Sequence, residues 1–279
     1  MIGTILFFLL AVHLSIGILA SLLIVPRAVL SNRFFRFNAT VSLCVLGLGT
    51  IVYLVFGNRL GPQSGARVVE LKTEIDRAWP WLQAAGGLSL VYLATLPFRR
   101  AGLTAATLAG ATLAGAVFLV SVSSGVTSAS MPAGSARFVL PLDFVLSSLA
   151  LGSVVVCMIL GHWYLVEPGM SVRPLRRTAA LFIGAVAART LAGGLTSVLV
   201  WNDLVAGLLA GGGVLDILFF CQRVLFGLAL PLALSWMIWQ TVKIRSTQSA
   251  TGILYVAVVF VLFGEFLSHY LLVSTGYAI

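Results

Sequence analysis

Long apolar runs constrain this chain more than any other feature. Eight stretches hold enough apolar residues, about 20 each, to cross the hydrocarbon core of a bilayer as helix. They lie at about 2–25, 39–57, 79–98, 101–124, 138–163, 175–201, 212–241 and 251–275. In lipid a spanning segment must satisfy its own backbone, which a helix does. The runs therefore predict an all-α polytopic membrane helix bundle, one integral membrane domain over residues 1–279. Composition agrees: 60% of residues are hydrophobic and 9% charged, against roughly 25% charged in soluble domains. No charge precedes Ile2, and the first run outlasts the roughly 7–15 apolar residues of a signal peptide, so it reads as a retained first span. Pro231 lies inside the seventh run and removes one helix hydrogen bond, which predicts a tilt or break there.

The net charge of +9 invites a nucleic-acid reading, but the basic residues sit in short loops between spans. One side holds Arg27, Arg33, Arg36, Arg99, Arg100, Arg173, Arg176, Arg177, Lys243 and Arg245; the other holds Arg59, Arg67, Lys72, Arg77 and Arg137. The more basic side is expected in the cytoplasm. Both termini then face the periplasm of a bacterial inner membrane, and no nucleic acid is expected as a partner. The partner expected everywhere is the lipid bilayer.

Shorter features refine this plan. Residues 66–78 place Val68, Leu71 and Ile75 at helical spacing, continuing to Trp79, with charges between. This predicts an amphipathic outer-loop helix, either resting on lipid or, with the rest of loop 59–78, docking a periplasmic subunit. The stretch "SNRFFRFN" at 31–38 reads as an interfacial anchor, and 125–137 as a flexible connection. "TLAGATLAGA" at 107–116 gives the fourth span a small-residue ridge suited to close helix approach. "GHWYLVEPG" at 161–169 fits an aromatic belt, or else a site for a headgroup, a proton or haem. Cys44, Cys157 and Cys221 lie in three different runs without a CxxC, so no metal or iron–sulfur signature is present.

Ionisable residues inside spans are expensive and point to function or to helix pairing. They are His13, Arg189, Asp216, Arg223, Glu265 and His269, with Asp143 and His162 nearer the ends of their shared span. Asp216 and Arg223 are seven apart and Glu265 and His269 four apart, so each pair shares a helix face. Most fall between the midplane and the outer surface, and packing of Arg189 or Arg223 against Glu265 is expected. Gly193, Gly194 and Thr196 follow Arg189 and leave a face with room for a ligand. Three histidines raise the question of haem b. On the rise per residue, however, His13 and His269 differ in depth by about 8–10 Å, and His162 lies near the opposite surface.

Eight spans, termini outside, and a last helix carrying Gly264–Glu265 followed by His269–Tyr270 resemble the membrane anchors of molybdenum oxidoreductases, the DMSO reductase anchor and the wider NrfD-like group. The resemblance implies a quinone or quinol site near the periplasmic face and electrons passing to an iron–sulfur or cytochrome subunit docked outside. The expected roles are then a proton acceptor in Glu265, quinone hydrogen bonds from His269 or His13, and tuning by Arg189, Arg223 and Asp216. A small-solute or proton-coupled transporter built on the same buried charges stays open. So do a haem-bearing variant, a lipid-active enzyme and a purely structural assembly subunit.

Overall fold

The computed structural model describes residues 2–57, 60, 64–98, 101–126, 133–167, 169–199, 201, 205 and 214–276. Among them the chain forms eight helices and no strand: α1 Ile2–Ile24, α2 Asn32–Phe56, α3 Ala66–Thr95, α4 Ala101–Gly125, α5 Ala133–Val166, α6 Arg173–Leu199, α7 Val214–Lys243 and α8 Thr247–Thr275. All but α3 are long and apolar enough to cross a membrane. The protein is thus an all-α, multi-pass membrane bundle with lipid-facing helices. Arg59, Arg99 and Arg100 lie outside the described residues, as do the tip of the 125–137 connection and the Arg137 side chain.

Helices α1 and α5 form the centre, with 78% and 72% of their apolar windows buried, against 28% for α2 and 22% for α7. They meet backbone to backbone. A Cβ on Gly17 would sit 1.8 Å from Ser148 O, and one on Gly152 would sit 1.8 Å from the Gly17 carbonyl carbon. Around this pair, α3 and α4 pack together, and α6, α7 and α8 close the other side. In the "TLAGATLAGA" ridge, Gly115 receives the Ile16 side chain of α1 and Gly110 that of Leu88 in α3. The starts of α1 and α3 and the end of α8 share one face, where Arg67 donates to Ser274 O at 2.6 Å. At the opposite face, Asn32 donates to Leu96 O at 3.1 Å. There the Arg27 guanidinium lies 5.4 Å from the Tyr92 ring centroid and 5.7 Å from that of Phe35.

Two local expectations change. Residues 66–78 are no separate surface helix. They open the 30-residue α3, which continues through Pro80, and Val68, Leu71, Ile75 and Ala78 are buried in the protein core. The stripe satisfies protein rather than lipid because α4 and α1 cover it. Mid-helix Trp81, Gln83, Gly86 and Gly87 keep α3 below the hydropathy of its neighbours. Likewise the anchor at 31–38 splits. Phe34 and Phe35 point into the core, and of the three phenylalanines only Phe37 is exposed.

Helix α7 does not break at Pro231. It relaxes into a π-helical segment, Arg223–Ala229, immediately before it. In a regular α-helix Gly227 O would pair with the N–H of residue 231, which proline lacks. Wider i→i+5 pairing accommodates the loss, as at Leu230 N–H to Leu225 O, and Gly227 O accepts a hydrogen bond from Arg223 Nη1 at 3.3 Å. Such π-helical insertions recur at functional sites. Next to it α7 and α8 touch at Gly227 and Gly264, where a Cβ on Gly264 would come within 2.3 Å of Gly227 Cα.

Candidate functional site

Four buried charges meet where α5, α6, α7 and α8 converge. Arg189 of α6 grips Glu265 of α8 through two parallel bonds, Nε to Oε1 at 2.6 Å and Nη2 to Oε2 at 2.7 Å. Its Nη1 donates to the backbone O of Asp143 at 2.9 Å and to the Asp143 carboxylate, and its Nη2 also reaches Ser268 Oγ at 3.1 Å. Ser147 of α5 donates to Glu265 Oε2 at 2.6 Å. Arg223 completes the group, with Nη2 3.6 Å from Glu265 Oε1. Side-chain exposure is 6% or less for all four charges. Two guanidinium and two carboxylate groups cancel, which is how a membrane interior tolerates them.

Immediately beside Glu265, His13 of α1 and His269 of α8 bring their ring centroids to 4.7 Å, tilted 59°. Phe144 packs against both rings, 4.8 Å from His13 and 6.0 Å from His269. His13 Nδ1 donates to Leu9 O at 2.7 Å. A carbonyl can only accept, so Nδ1 carries the proton and Nε2 of the neutral ring offers a lone pair. That Nε2 and His269 Nδ1 are buried and have no hydrogen-bond partner among the described residues. The expected separation in depth is closed partly by side-chain direction. Cα–Cβ bonds lean toward a helix N-terminus. Helices α1 and α8 run in opposite senses, so the two rings lean toward each other.

Rings in contact leave no slot for a macrocycle, and an axial bis-His pair must hold the iron between its imidazoles. The His13–His269 pair as placed does not fit haem. His162 lies at the other face, with Nδ1 3.2 Å from Tyr255 Oη. Among the described residues no group of three or more His, Cys, Asp or Glu is placed to hold a metal.

The structure therefore brings together Arg189, Arg223, Glu265, His269 and His13. Asp216 stands apart, in the first turn of α7, where Tyr270 Oη donates to Oδ1 at 3.4 Å. Above the histidines a cavity of about 460 Å³ is lined by Ile2, Arg67, Val68, Tyr270 and Val273 and opens at the face bearing both chain ends. Gly194 faces open space. Asp143 and Ser147 belong to the site although Asp143 was expected near a helix end. Helix α5 begins at Ala133 rather than 138, which sets Asp143 about 15 Å inside it. The i, i+4 spacing of Asp143 and Ser147 was the available signal.

No protein-family model matches the chain, and a search of curated proteins returns no match.

Proposed function

We propose that this protein is a membrane anchor subunit of a multi-subunit redox complex. In this reading Glu265 and the His13–His269 pair exchange the protons of quinol oxidation at the face bearing both chain ends. The observation that carries it is the histidine pair. A lock between helices accounts for Arg189, Glu265 and Asp143, whose donors and acceptors are satisfied. It does not account for two buried imidazole nitrogens, on rings in contact beside that lock, that lack a partner among the described residues. Unsatisfied buried groups are rare and call for a function, and imidazole is the usual proton-transfer group near neutral pH.

A second feature favours redox chemistry over transport. Among the described residues the buried ionisable groups other than Cys and Tyr are His13, Glu74, Asp143, Arg189, Asp216, Arg223, Glu265 and His269. On their helices all lie between mid-bundle and the face bearing the chain ends. The other half is an apolar core of Ile18, Phe34, Val154, Phe182, Leu254 and their neighbours. Protons could thus reach the cluster from one side only. By the distribution of basic residues that side is periplasmic, in a bacterial inner membrane, with an iron–sulfur or cytochrome subunit docked outside.

The test is quinol oxidation by the purified complex carrying Glu265→Gln or His269→Ala. Loss of a proton-transfer group lowers turnover about 10²-fold or more. Full activity in both variants, with the complex intact, would sink the proposal. Co-purification without any redox subunit would count against the anchor role.

A further inference from the structure

At the face opposite the chain ends a second feature is left unused by the charge cluster. Met158, Ile159, His162, Trp163 and Val166 of α5, Phe37 of α2 and Tyr255 of α8 line a notch of about 430 Å³. Its construction follows from one glycine. A Cβ on Gly161 would lie 2.6 Å from Thr251 Oγ1, so α8 starts close against α5. One turn later Tyr255 stands beside His162, Oη to Nδ1 3.2 Å. Trp163 is held from behind by Phe34, edge to face at 5.7 Å. Phe37, Val166 and Tyr255 are exposed on surfaces that face lipid in a membrane bundle.

The notch has one polar end and otherwise apolar walls. Whichever ring nitrogen of His162 carries the proton, one donor is left over. If Tyr255 donates to Nδ1, His162 Nε2–H is free; if Nδ1–H donates to Tyr255, the tyrosine O–H is free. Trp163 adds an aromatic wall, its indole N–H buried behind the ring. Every group offered here can donate, and three of the walls are aromatic. Among the described residues the lining includes no cationic side chain, so a phosphate headgroup finds no countercharge there. A flat ring bearing carbonyl acceptors, arriving from the hydrocarbon, matches both the donors and the walls.

We infer that this notch binds the head ring of a bilayer-soluble quinone, its carbonyl on the His162–Tyr255 pair and its ring against Phe37 and Trp163. The site shares no residue with the charge cluster and lies at the other face, so it stands independently of the proton-exchange reading. It gives the protein a quinone-binding position on the less expected side of the membrane.

The experiment is photolabelling of the purified protein in phosphatidylglycerol nanodiscs with a short-tailed azidobenzoquinone, followed by peptide mapping. Label is expected on Phe37, the 158–166 segment or Tyr255, displaced by excess decylbenzoquinone. Two variants probe it separately. His162→Leu with Tyr255→Phe removes the donors at a lipid-facing site and should cut labelling about fivefold to tenfold, the worth of a neutral hydrogen bond. Met158→Trp fills the notch and should remove the label while the donors remain. Melting temperatures near wild type confirm that both are folded. Label spread evenly over lipid-facing helices, label unchanged in both variants, or equal displacement by added phosphatidylglycerol overturns the assignment. Labelling rather than turnover is read, so failure here leaves the charge cluster untouched, and the reverse holds too.

Discussion

Arg189 commits all five of its N–H donors: Nε to Glu265, Nη1 twice to Asp143, and Nη2 to Glu265 and Ser268. Lysine has three donors on a single atom and no planar fork. Arg189→Lys should therefore keep the charge and still lower the melting temperature in detergent. Arg189→Met strands two carboxylates against Arg223 alone. Breaking one partner of a buried pair costs about 3–5 kcal/mol. The double variant Arg189→Met with Glu265→Met leaves Asp143 and Arg223 as a neutral remainder and should be more stable than Arg189→Met. Thermal unfolding of the three proteins checks this. A double variant no more stable than the single would mean the cluster is not a charge-balanced unit. Restored stability without restored quinol oxidation is the combination that separates a working site from a lock. Much of this was legible in residue types: Glu265, His269, Arg189 and Arg223 stand out as charges in hydrocarbon. Packing of Arg189 or Arg223 against Glu265 was expected too; what spacing along single helices could not supply was the further partners across helices. Ser147 and Ser268 look like any other membrane serine until α5, α6 and α8 are packed.

The α7–α8 crossing turns on Gly227 and Gly264. A methyl at Gly264 would overlap Gly227 Cα and approach Arg223 Nη1 to 2.9 Å, so Gly264→Ala must push α7 away and take Arg223 from Glu265. Gly252, also in α8, has open space for 4 Å around the position a methyl would take. Gly252→Ala should be neutral or stabilising by about 0.5–1 kcal/mol, since alanine is the better helix former. Parallel melting curves test the contrast, and equal destabilisation of the two would contradict the crossing. Pro231→Ala restores an N–H toward Gly227 O, which should regularise the π-helical segment and rotate Arg223 relative to Glu265. A cysteine pair placed across α7 and α8 in an otherwise Cys-less chain should change its crosslinking rate with that rotation. Sequence marked the proline but not its outcome, because a helix can answer a missing hydrogen bond by kinking, breaking or widening, and the neighbouring helix decides. For α3 the same limit applied in reverse. Its apolar stripe at Val68, Leu71 and Ile75 matches lipid and protein equally well, and only the position of α4 and α1 distinguishes them.

For the whole molecule the consequence is directional. Among the described residues the buried ionisable groups other than Cys and Tyr cluster toward the face where α1 starts and α8 ends, while the other half is closed by apolar packing between α1, α5 and α8. Serine and threonine hydroxyls in that half mostly return to carbonyls of their own helix, as Ser21 does to Gly17 and Thr251 to Thr247. The hydroxyl contacts seen among the described residues do not link up across it. The cross-helix Ser15–Ser42 contact at 2.8 Å joins two hydroxyls and stops there. Water entering from the chain-end face should thus meet the histidines and go no further. In proteoliposomes loaded with a pH-sensitive dye, the protein alone should hold an imposed pH gradient as long as empty vesicles do. Hydrogen exchange should be measurable for amides near His269 and Tyr270 while those around Val154, Phe182 and Leu254 stay protected. A gradient that collapses only when the protein is present, and is preserved again by Glu265→Gln, would establish a transmembrane proton path. The cluster would then belong to a transporter, and the anchor reading would have to be abandoned.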